Sequence, residues 1–206
     1  MVPSPTLLLL LSLLLGSTRV AIGFDVVDSP PLLNSPVYSL ATRIPAAKDD
    51  ASSSRTNMNL LTYATPVSIR PDRLWAIGLY RETLSWEVFQ KEGKGILQLL
   101  TPEHIPLIRL LGGSSGRDVD KQEECCKLGW EWKEIKEEFP LVLPGCLSYV
   151  CLELQGDMID GGTHDVAICK VTKMFTDSAS TDPHLDTQTL RDRGLITEQG
   201  RIAETA

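Results

Sequence analysis

The stretch Met58–Pro71, MNLLTYATPVSIRP, decides how the rest of the chain is interpreted. An apolar pair, Leu60 and Leu61, leads into a run of hydroxyl residues that ends in a proline-marked turn. The hydroxyls of this run belong to Thr62, Tyr63, Thr65 and Ser68. The pattern predicts a strand that opens at its end and displays hydroxyls and backbone N–H groups at a rim. Such a rim suits a flat ligand with polar edges.

Length and composition predict one globular domain with an N-terminal extension. The chain has 206 residues, of which 42% are hydrophobic and 23% are charged. These values are typical of a folded domain of ordinary size. The formal net charge is -7 and no long basic run occurs, so nucleic acid is not an expected partner, since its binding draws on Lys and Arg.

Residues 1–23 are interpreted as a targeting segment. The apolar core Thr6–Leu15 is shorter than the roughly 20 residues that a membrane-spanning helix needs. Small residues at Ala21 and Gly23 predict cleavage before Phe24, and no stable membrane span is expected after processing. The first interpretation is a secretory signal, which leads to the secretory pathway or the extracellular space. Because Arg19 is the only charged side chain in this segment, an acid-poor transit peptide for a plastid or another organelle is the alternative.

Residues 24–55 are predicted to form a flexible linker, and residues 56–206 the folded domain. The linker contains Pro30, Pro31, Pro36, Pro45 and a run of three serines at 52–54. These residues favour turns, and the segment has neither a helical nor a strand period.

Periodicity downstream of residue 56 predicts a mainly β domain with short helical insertions. Strands are expected over Asn57–Ser68, Leu74–Leu79, Gly95–Leu100, Gly145–Leu154 and Asp165–Met174. Helices are expected over Leu84–Glu92, from Thr101 to Gly112–Gly113, after Asp120, and over Thr187–Arg193. The last strand is apolar on both faces, as in a barrel or at a subunit interface. A small β-barrel fits this order better than a doubly wound sheet.

The glycine-rich segment, the histidines and the cysteines predict neither a phosphate-binding loop nor a metal site. Residues 112–117, GGSSGR, lack the spacing of either glycine-rich phosphate motif. The three histidines form no paired ligand motif, so no metal site is expected. The five cysteines are interpreted as thiols, with a Cys146–Cys151 disulfide or a redox role for Cys125 and Cys126 as alternatives.

Two short segments combine groups that could bind an anion or a cofactor. Arg81 and Thr83 lie where a predicted strand leads into a helix N-terminus, which is favourable for a phosphate group. A capped helix beside a solvated arginine is the alternative. His164 follows Gly161-Gly162-Thr163 at a strand start. It is either functional or a polar residue that stabilises the turn.

Taken together, four segments resemble the flavin reductase-like, FMN-binding split-barrel family. They are NLLTYATPVSIRPDRLWAIGL (59–79), YRETLSWEVFQKEGKGILQLL (80–100), GRDVDK (116–121) and GTHDVAICKV (162–171). The resemblance covers about Asn57 to Arg201, and the order of the four segments is more specific than any one of them. It implies a Greek-key-like split β-barrel that forms a homodimer.

The resemblance also implies a cofactor, FMN, with NADH or NADPH as reductant. Its cofactor-binding residues would be Asn59, Thr62, Tyr63 and Ala64 at the isoalloxazine, Thr65 in the same rim, and Arg81 and Thr83 at the phosphate or ribityl end. His164 would be the catalytic residue near the flavin or the nicotinamide. The implied activity is hydride transfer from NAD(P)H to flavin, with a partner oxygenase that could receive the reduced flavin. A carrier or sensor that binds FMN without turnover is the alternative.

Three residues depart from the pattern of the family. Gln98 stands where many members have Asn, Cys169 where Gly is frequent, and Lys170 where an acidic residue is common. These departures concern the expected nicotinamide contact more than the binding of FMN.

Overall fold

A computed structural model describes residues 31–45, 55–176 and 183–203 of the chain. The strands in these ranges are β1 Tyr38–Ile44, β2 Arg55–Leu61, β3 Ala64–Ser68, β4 Leu74–Tyr80, β5 Lys94–Leu99, β6 Ser148–Leu154, β7 Ile159–Asp160 and β8 His164–Phe175. The helices are α1 Leu84–Glu92, α2 Ile108–Gly113, α3 Lys121–Lys127 and α4 Thr187–Asp192, with a 3₁₀ helix at Pro102–Leu107. The targeting segment predicted over residues 1–23 lies outside the described residues.

One antiparallel sheet contains every strand. Its order is β2-β1-β5-β6-β8-β4-β3, and the short β7 pairs with β8. The two strands at the ends of this path, β2 and β3, are separated in sequence only by Thr62 and Tyr63. Because a residue spans at most about 3.6 Å, this link holds the two ends close together and curves the sheet into a barrel. The predicted mainly β fold is confirmed.

Both faces of the central strands are buried in apolar clusters. Ile96 in β5 packs in one cluster, and its neighbour Leu97 packs in the other. Neighbouring strand residues point to opposite faces, so the two clusters lie on opposite sides of the sheet, one with Phe89 of α1 and the other with Leu111 of α2. Ala41 and Leu40 of β1 divide in the same way. These strands are thus covered on both sides, whereas β8 buries Ala167 and Cys169 on one face and leaves Val166 and Ile168 on the other face half-buried.

The helix boundaries agree with the capping residues read from the sequence. The Thr83 hydroxyl accepts a hydrogen bond from the Trp86 N–H at 3.2 Å, and Gly93 ends α1 with a φ of 65°. Such a left-handed conformation favours glycine. The Asp120 carboxylate caps α3 by accepting from the N–H groups of Gln122 and Glu123. These local predictions are confirmed because a cap is fixed by residues adjacent in sequence.

The prediction of a flexible linker over residues 24–55 is wrong for β1. Tyr38–Ile44 is a mostly buried strand between β2 and β5, second from one end of the sheet path. The prolines at 36 and 45 flank this strand, where they do not interrupt the ladder. From Leu33 onward the described residues belong to one compact unit, so the domain boundary at residue 56 is also wrong. Residues 24–30 and 46–54 lie outside the described part of the chain.

Further element boundaries differ from the predictions, among them the start of the strand expected over Gly145–Leu154, which begins at Ser148. The strand expected over Asn57–Ser68 is divided into β2 and β3 by Thr62 and Tyr63. The helix expected from Thr101 to Gly112–Gly113 begins as a 3₁₀ helix and becomes α-helical only at Ile108. Pro106 lies at this junction and lacks the N–H that an α-helical hydrogen bond requires.

The described residues include all five cysteines and show whether disulfides or membrane-spanning helices occur among them. None of the five cysteines is in a disulfide, so the Cys146–Cys151 bridge is not formed. Burial raises the pKa of the Cys169 thiol to about 12 and that of Cys151 to about 11. Within residues 31–45, 55–176 and 183–203, no helix is long and apolar enough to cross a membrane.

Candidate cofactor site

A cavity of about 310 Å³ lies where β2 ends, beside β4, the start of α1 and the C-terminal residues. Its walls are mostly apolar, and the polar groups gather at its rim. Its lining residues include Asn59, Thr62, Tyr63, Gly78, Tyr80, Thr83, Gly112, His164, Gln199, Gly200, Arg201 and Ile202. The volume falls near the lower end of the range for small-molecule sites, about 300–1,000 Å³.

Most of the site residues predicted from the sequence meet at this cavity. Those that line it are Asn59, Thr62, Tyr63, Thr83 and His164. Ala64, Thr65 and Arg81 are not among its lining residues. The fold brings the first group together because β2 ends, β4 ends and β8 begins at the same edge of the barrel.

The cavity is lined by polar side chains that have no hydrogen-bond partner in the described part of the chain. Within the described residues, the side chains of Asn59, Thr62 and Tyr63 make no hydrogen bond, although all three line the cavity. An amide and two hydroxyls can donate to and accept from the carbonyl and ring nitrogen atoms of a flavin. The donor set and the apolar walls therefore fit the isoalloxazine ring of a flavin.

Thr83 differs from these three residues because its hydroxyl already makes two hydrogen bonds within the protein. It donates to the Tyr80 carbonyl at 2.8 Å and accepts from the Trp86 N–H at 3.2 Å. These bonds fix the N-terminus of α1 against the cavity. The N-terminal end of a helix carries partial positive charge, so the position suits a phosphate group.

An aromatic cluster forms one side of the rim. The His164 ring lies 5.3 Å from the Tyr63 ring and 5.2 Å from the Tyr80 ring, measured between centroids. Tyr63 packs over Gly78, where an added Cβ would lie 3.1 Å from the Tyr63 Cβ. Burial lowers the pKa of His164, and the positive charge of Arg201 lowers it further. The His164 imidazole is therefore neutral at pH 7, which suits a hydrogen-bonding role better than an ionic one.

Arg81 is bound to acidic residues of the protein itself. Its Nε donates to the Asp165 carboxylate at 2.8 Å, and its Nη2 lies 2.7 Å from the Asp160 carboxylate. Asp165 also accepts a hydrogen bond from the Trp86 indole at 2.8 Å. The guanidinium lowers the pKa of Asp165, and the pKa of Asp160 is lowered by the hydrogen bond from the Gly162 N–H and then by Arg81. In the folded chain Arg81 contacts carboxylates of the protein, and its assignment to a phosphate stays a prediction.

The three departures from the family pattern lie away from the cavity. Gln98 is buried, and its Oε1 accepts a hydrogen bond from the Leu143 N–H at 2.7 Å. Cys169 is buried in the core, and Lys170 forms an ion pair with Asp72 at 2.7 Å. None of the three lines the cavity. Their side chains are explained by packing and pairing in this chain.

Sequence reasoning missed the contribution of the C-terminal residues. Gln199, Gly200, Arg201 and Ile202 line the cavity, although no site residue was predicted beyond His164. A signal was present: two isoleucines at 196 and 202 flank a glycine, as in a short hairpin. Gly112 was also assigned only to the end of a helix, and it lies against the cavity.

Residues 33–194 match the family model for the flavin reductase like domain, and the chain belongs to this family. The match begins before β1, which agrees with the corrected domain boundary. It covers the whole sheet and ends just after α4. A comparison with curated proteins found no significant match.

Solved structures with the same fold include flavin-binding proteins. An FMN-binding protein from Thermus thermophilus is 17% identical with a TM-score of 0.63, over 90% of this chain and 98% of that chain. Flavoredoxin from Methanosarcina acetivorans is 13% identical with a TM-score of 0.60, over 77% of each chain. An NADH:FAD oxidoreductase from Streptomyces globisporus is 13% identical with a TM-score of 0.60, over 75% of this chain and 81% of that chain. At these identities the similarity establishes the fold, a flavin reductase-like split barrel.

Proposed function

We propose that this protein binds FMN in the cavity and transfers a hydride from NADH or NADPH to it. The observation that carries the proposal is the convergence of Asn59, Thr62 and Tyr63, with unused polar groups, on an apolar cavity. Membership of the flavin reductase-like family supports the same function. Bound flavin would supply the hydride chemistry, and the residues of the chain would bind and orient it.

Each lining residue has a role in this proposal. Asn59, Thr62 and Tyr63 hydrogen-bond the polar edge of the ring system and fix its orientation. Thr83 and the N-terminal end of α1 face the phosphate or ribityl chain. His164, neutral at pH 7, donates or accepts a hydrogen bond next to the reacting ring. No acid–base pair is needed, because hydride transfer to a flavin requires positioning more than proton transfer from the protein.

A homodimer is part of the proposal. Tyr63, Val67 and Ile69, on β3 and its two flanks, are 59%, 52% and 76% exposed. These residues lie at one end of the sheet path, and Tyr63 also lines the cavity. A second copy packed there would cover apolar surface and complete the wall of the site. A partner oxygenase could receive the reduced flavin, and the secretory or organellar location remains an expectation.

A second candidate function, binding FMN without turnover, is favoured by the size of the site. About 310 Å³ suits one ring system better than a flavin and a nicotinamide together. Tyr63, His164 and Tyr80 also occupy the rim beside the cavity. A carrier or sensor would need only the flavin contacts.

An absorbance experiment on the full chain separates these functions. Titration with FMN, and in parallel with FAD, shows which flavin binds through the shift of its visible bands. Anaerobic addition of NADPH or NADH should then bleach the bound flavin if the protein is a reductase. Bound flavin that stays oxidised would favour the carrier or sensor. A chain that binds no flavin would contradict both.

A further inference from the structure

The C-terminal residues form a folded wall of the cavity. Residues 195–203, named here the C-terminal clasp, turn back on themselves through a bridge between Ile196 and Ile202. The Thr197 N–H donates to the Arg201 carbonyl at 2.7 Å, and the Ala203 N–H donates to the Leu195 carbonyl at 2.9 Å. These bonds give the clasp a hairpin shape, with its turn at the cavity.

Contacts with α2 fix the position of the clasp. The Arg109 guanidinium donates to the Ala203 carbonyl at 2.6 Å and to the Gly194 carbonyl at 3.4 Å. Ile202 lies against Gly112, where an added Cβ would come within 2.9 Å of the Ile202 Cδ1. The glycine therefore leaves room for the isoleucine. Held at both ends, the clasp presents Arg201 at a defined place in the wall.

Arg201 differs from the other arginines near the site. Arg81 is paired with Asp160 and Asp165, and Arg117 is paired with Glu87. Within the described residues the Arg201 side chain has no hydrogen bond or ion pair. It is also the one charged side chain among the described residues that line the cavity, apart from the titratable His164. Although the chain has a net charge of -7, the Arg201 guanidinium is therefore a cation that a ligand in the cavity can bind.

We propose that Arg201 binds a phosphate group of the nucleotide that occupies the cavity. The inference deepens the proposed function and rests on it. A guanidinium matches the geometry of phosphate oxygens and can donate two parallel hydrogen bonds. The phosphate could belong to FMN or to the nicotinamide dinucleotide. The clasp lies beyond residue 194, where the match to the family model ends.

The first arm of the test compares FMN with riboflavin, which has the same ring and no phosphate. Dissociation constants are measured by flavin fluorescence for the wild-type chain and for Arg201→Gln. If Arg201 holds the flavin phosphate, the substitution weakens FMN binding about tenfold and leaves riboflavin binding unchanged. Arg201→Lys should recover part of the loss, because it keeps the charge without the planar fork.

Arg193→Gln is the matched control. Arg193 is exposed, lies on the same C-terminal segment and does not line the cavity. It should bind FMN and riboflavin like the wild type, which separates a local contact from a change in net charge. Because the Arg201 side chain is exposed, both variants should fold, as thermal unfolding can verify.

The second arm measures the Michaelis constants for NADPH and NADH. If they rise about tenfold in Arg201→Gln while FMN binding is unchanged, the phosphate belongs to the nicotinamide nucleotide. The inference is overturned if Arg201→Gln binds FMN with wild-type affinity and keeps the wild-type Michaelis constants for NADPH and NADH. It is also overturned if the substitution weakens FMN and riboflavin binding equally. Either result leaves the proposed function intact. A wild-type chain that binds no flavin would overturn both.

Discussion

Arg81 donates a hydrogen bond to Asp165 at 2.8 Å, from the residue after β4 to the second residue of β8. Asp165 receives a second bond from Trp86 of α1. The pair therefore joins two neighbouring strands to the helix whose N-terminus faces the cavity. An arginine that the sequence suggests for ligand binding thus has a structural partner in the folded chain.

The Arg81–Asp165 pair should contribute more to stability than an exposed pair does. The Asp165 side chain is 9% exposed, whereas Glu87, the partner of Arg117, is 59% exposed. We expect Arg81→Gln to lower the midpoint of urea unfolding more than Arg117→Gln, because it leaves a desolvated carboxylate with fewer partners. Equal midpoints would contradict a structural role for this pair. A loss of FMN affinity in Arg81→Gln alone would instead support the phosphate assignment.

Lys121 should make stability depend on pH above neutrality. Its ammonium is buried, donates to the carbonyls of Met58 and Leu111, and has its pKa lowered by burial to about 8. Between pH 8 and the unfolded value near 10.5, the unfolded state binds more protons than the folded state, so this group makes stability rise with pH. The rise should approach about 3 kcal/mol, since one pKa unit corresponds to about 1.4 kcal/mol.

The contribution of Lys121 is isolated by subtracting the free energy of unfolding of a variant from that of the wild type. The free energy of unfolding of the wild type minus that of Lys121→Met should increase from pH 8 to pH 10.5. The buried thiols Cys151 and Cys169 titrate in both proteins and cancel. Cys125, whose thiol interacts with Lys121, is replaced by alanine in both proteins so that its titration does not enter the difference. Lys91→Met, an exposed lysine on α1, is the control and should give a flat difference. A flat difference for Lys121→Met as well would show that the buried ammonium is not perturbed.

Gly112→Ala should disturb the cavity more than the fold. An added Cβ would lie 2.7 Å from the Leu60 Cδ1 and 2.9 Å from the Ile202 Cδ1, so both side-chain ends must move. Replacing glycine in a helix by alanine gains up to about 1 kcal/mol, which offsets this cost in stability. We expect FMN affinity to fall at least threefold, with little change in the unfolding midpoint. Gly113→Ala is the neighbouring control, because its Cβ would meet Ile202 at an ordinary 3.4 Å.

His164→Ala should slow flavin reduction more than it weakens FMN binding. The imidazole lines the cavity beside Tyr63 and Tyr80, and removing it leaves the polar groups of Asn59 and Thr62 in place. Stopped-flow bleaching measures the reduction rate, and fluorescence titration measures the affinity. His184→Ala, at an exposed histidine, should match the wild type in both. If His164→Ala also matched the wild type in reduction rate and FMN affinity, His164 would be a residue that stabilises the turn.

Removing the charge of Arg201 should raise the pKa of His164. Burial is the larger cause of the lowered pKa, and the positive charge of Arg201 adds to it by opposing protonation. An NMR titration of the His164 ring in Arg201→Gln should therefore show a midpoint closer to the ordinary value of about 6.5. Arg193→Gln should leave the midpoint where it is in the wild type. An unchanged midpoint in Arg201→Gln would place the guanidinium away from the histidine.

Local signals in the sequence determined much of this protein. Caps such as Thr83 and Asp120 fixed where helices begin, because a cap and its helix are adjacent in sequence. The order of hydroxyl, glycine and histidine segments also indicated the family and the rim residues Asn59, Thr62 and Tyr63. The family match confirms the family, and Asn59, Thr62 and Tyr63 line the cavity, while their role in binding a cofactor stays a prediction.

Tertiary structure decided what depends on distant partners. β1 contains serine, threonine and arginine, and it is a strand because β2 and β5 pair with it on both sides. Arg81 is engaged because β8 brings Asp165 beside it, and Arg201 reaches the cavity because α2 holds the clasp. Local sequence determines caps and turns through neighbouring atoms, whereas burial and pairing arise only when segments far apart in the chain meet.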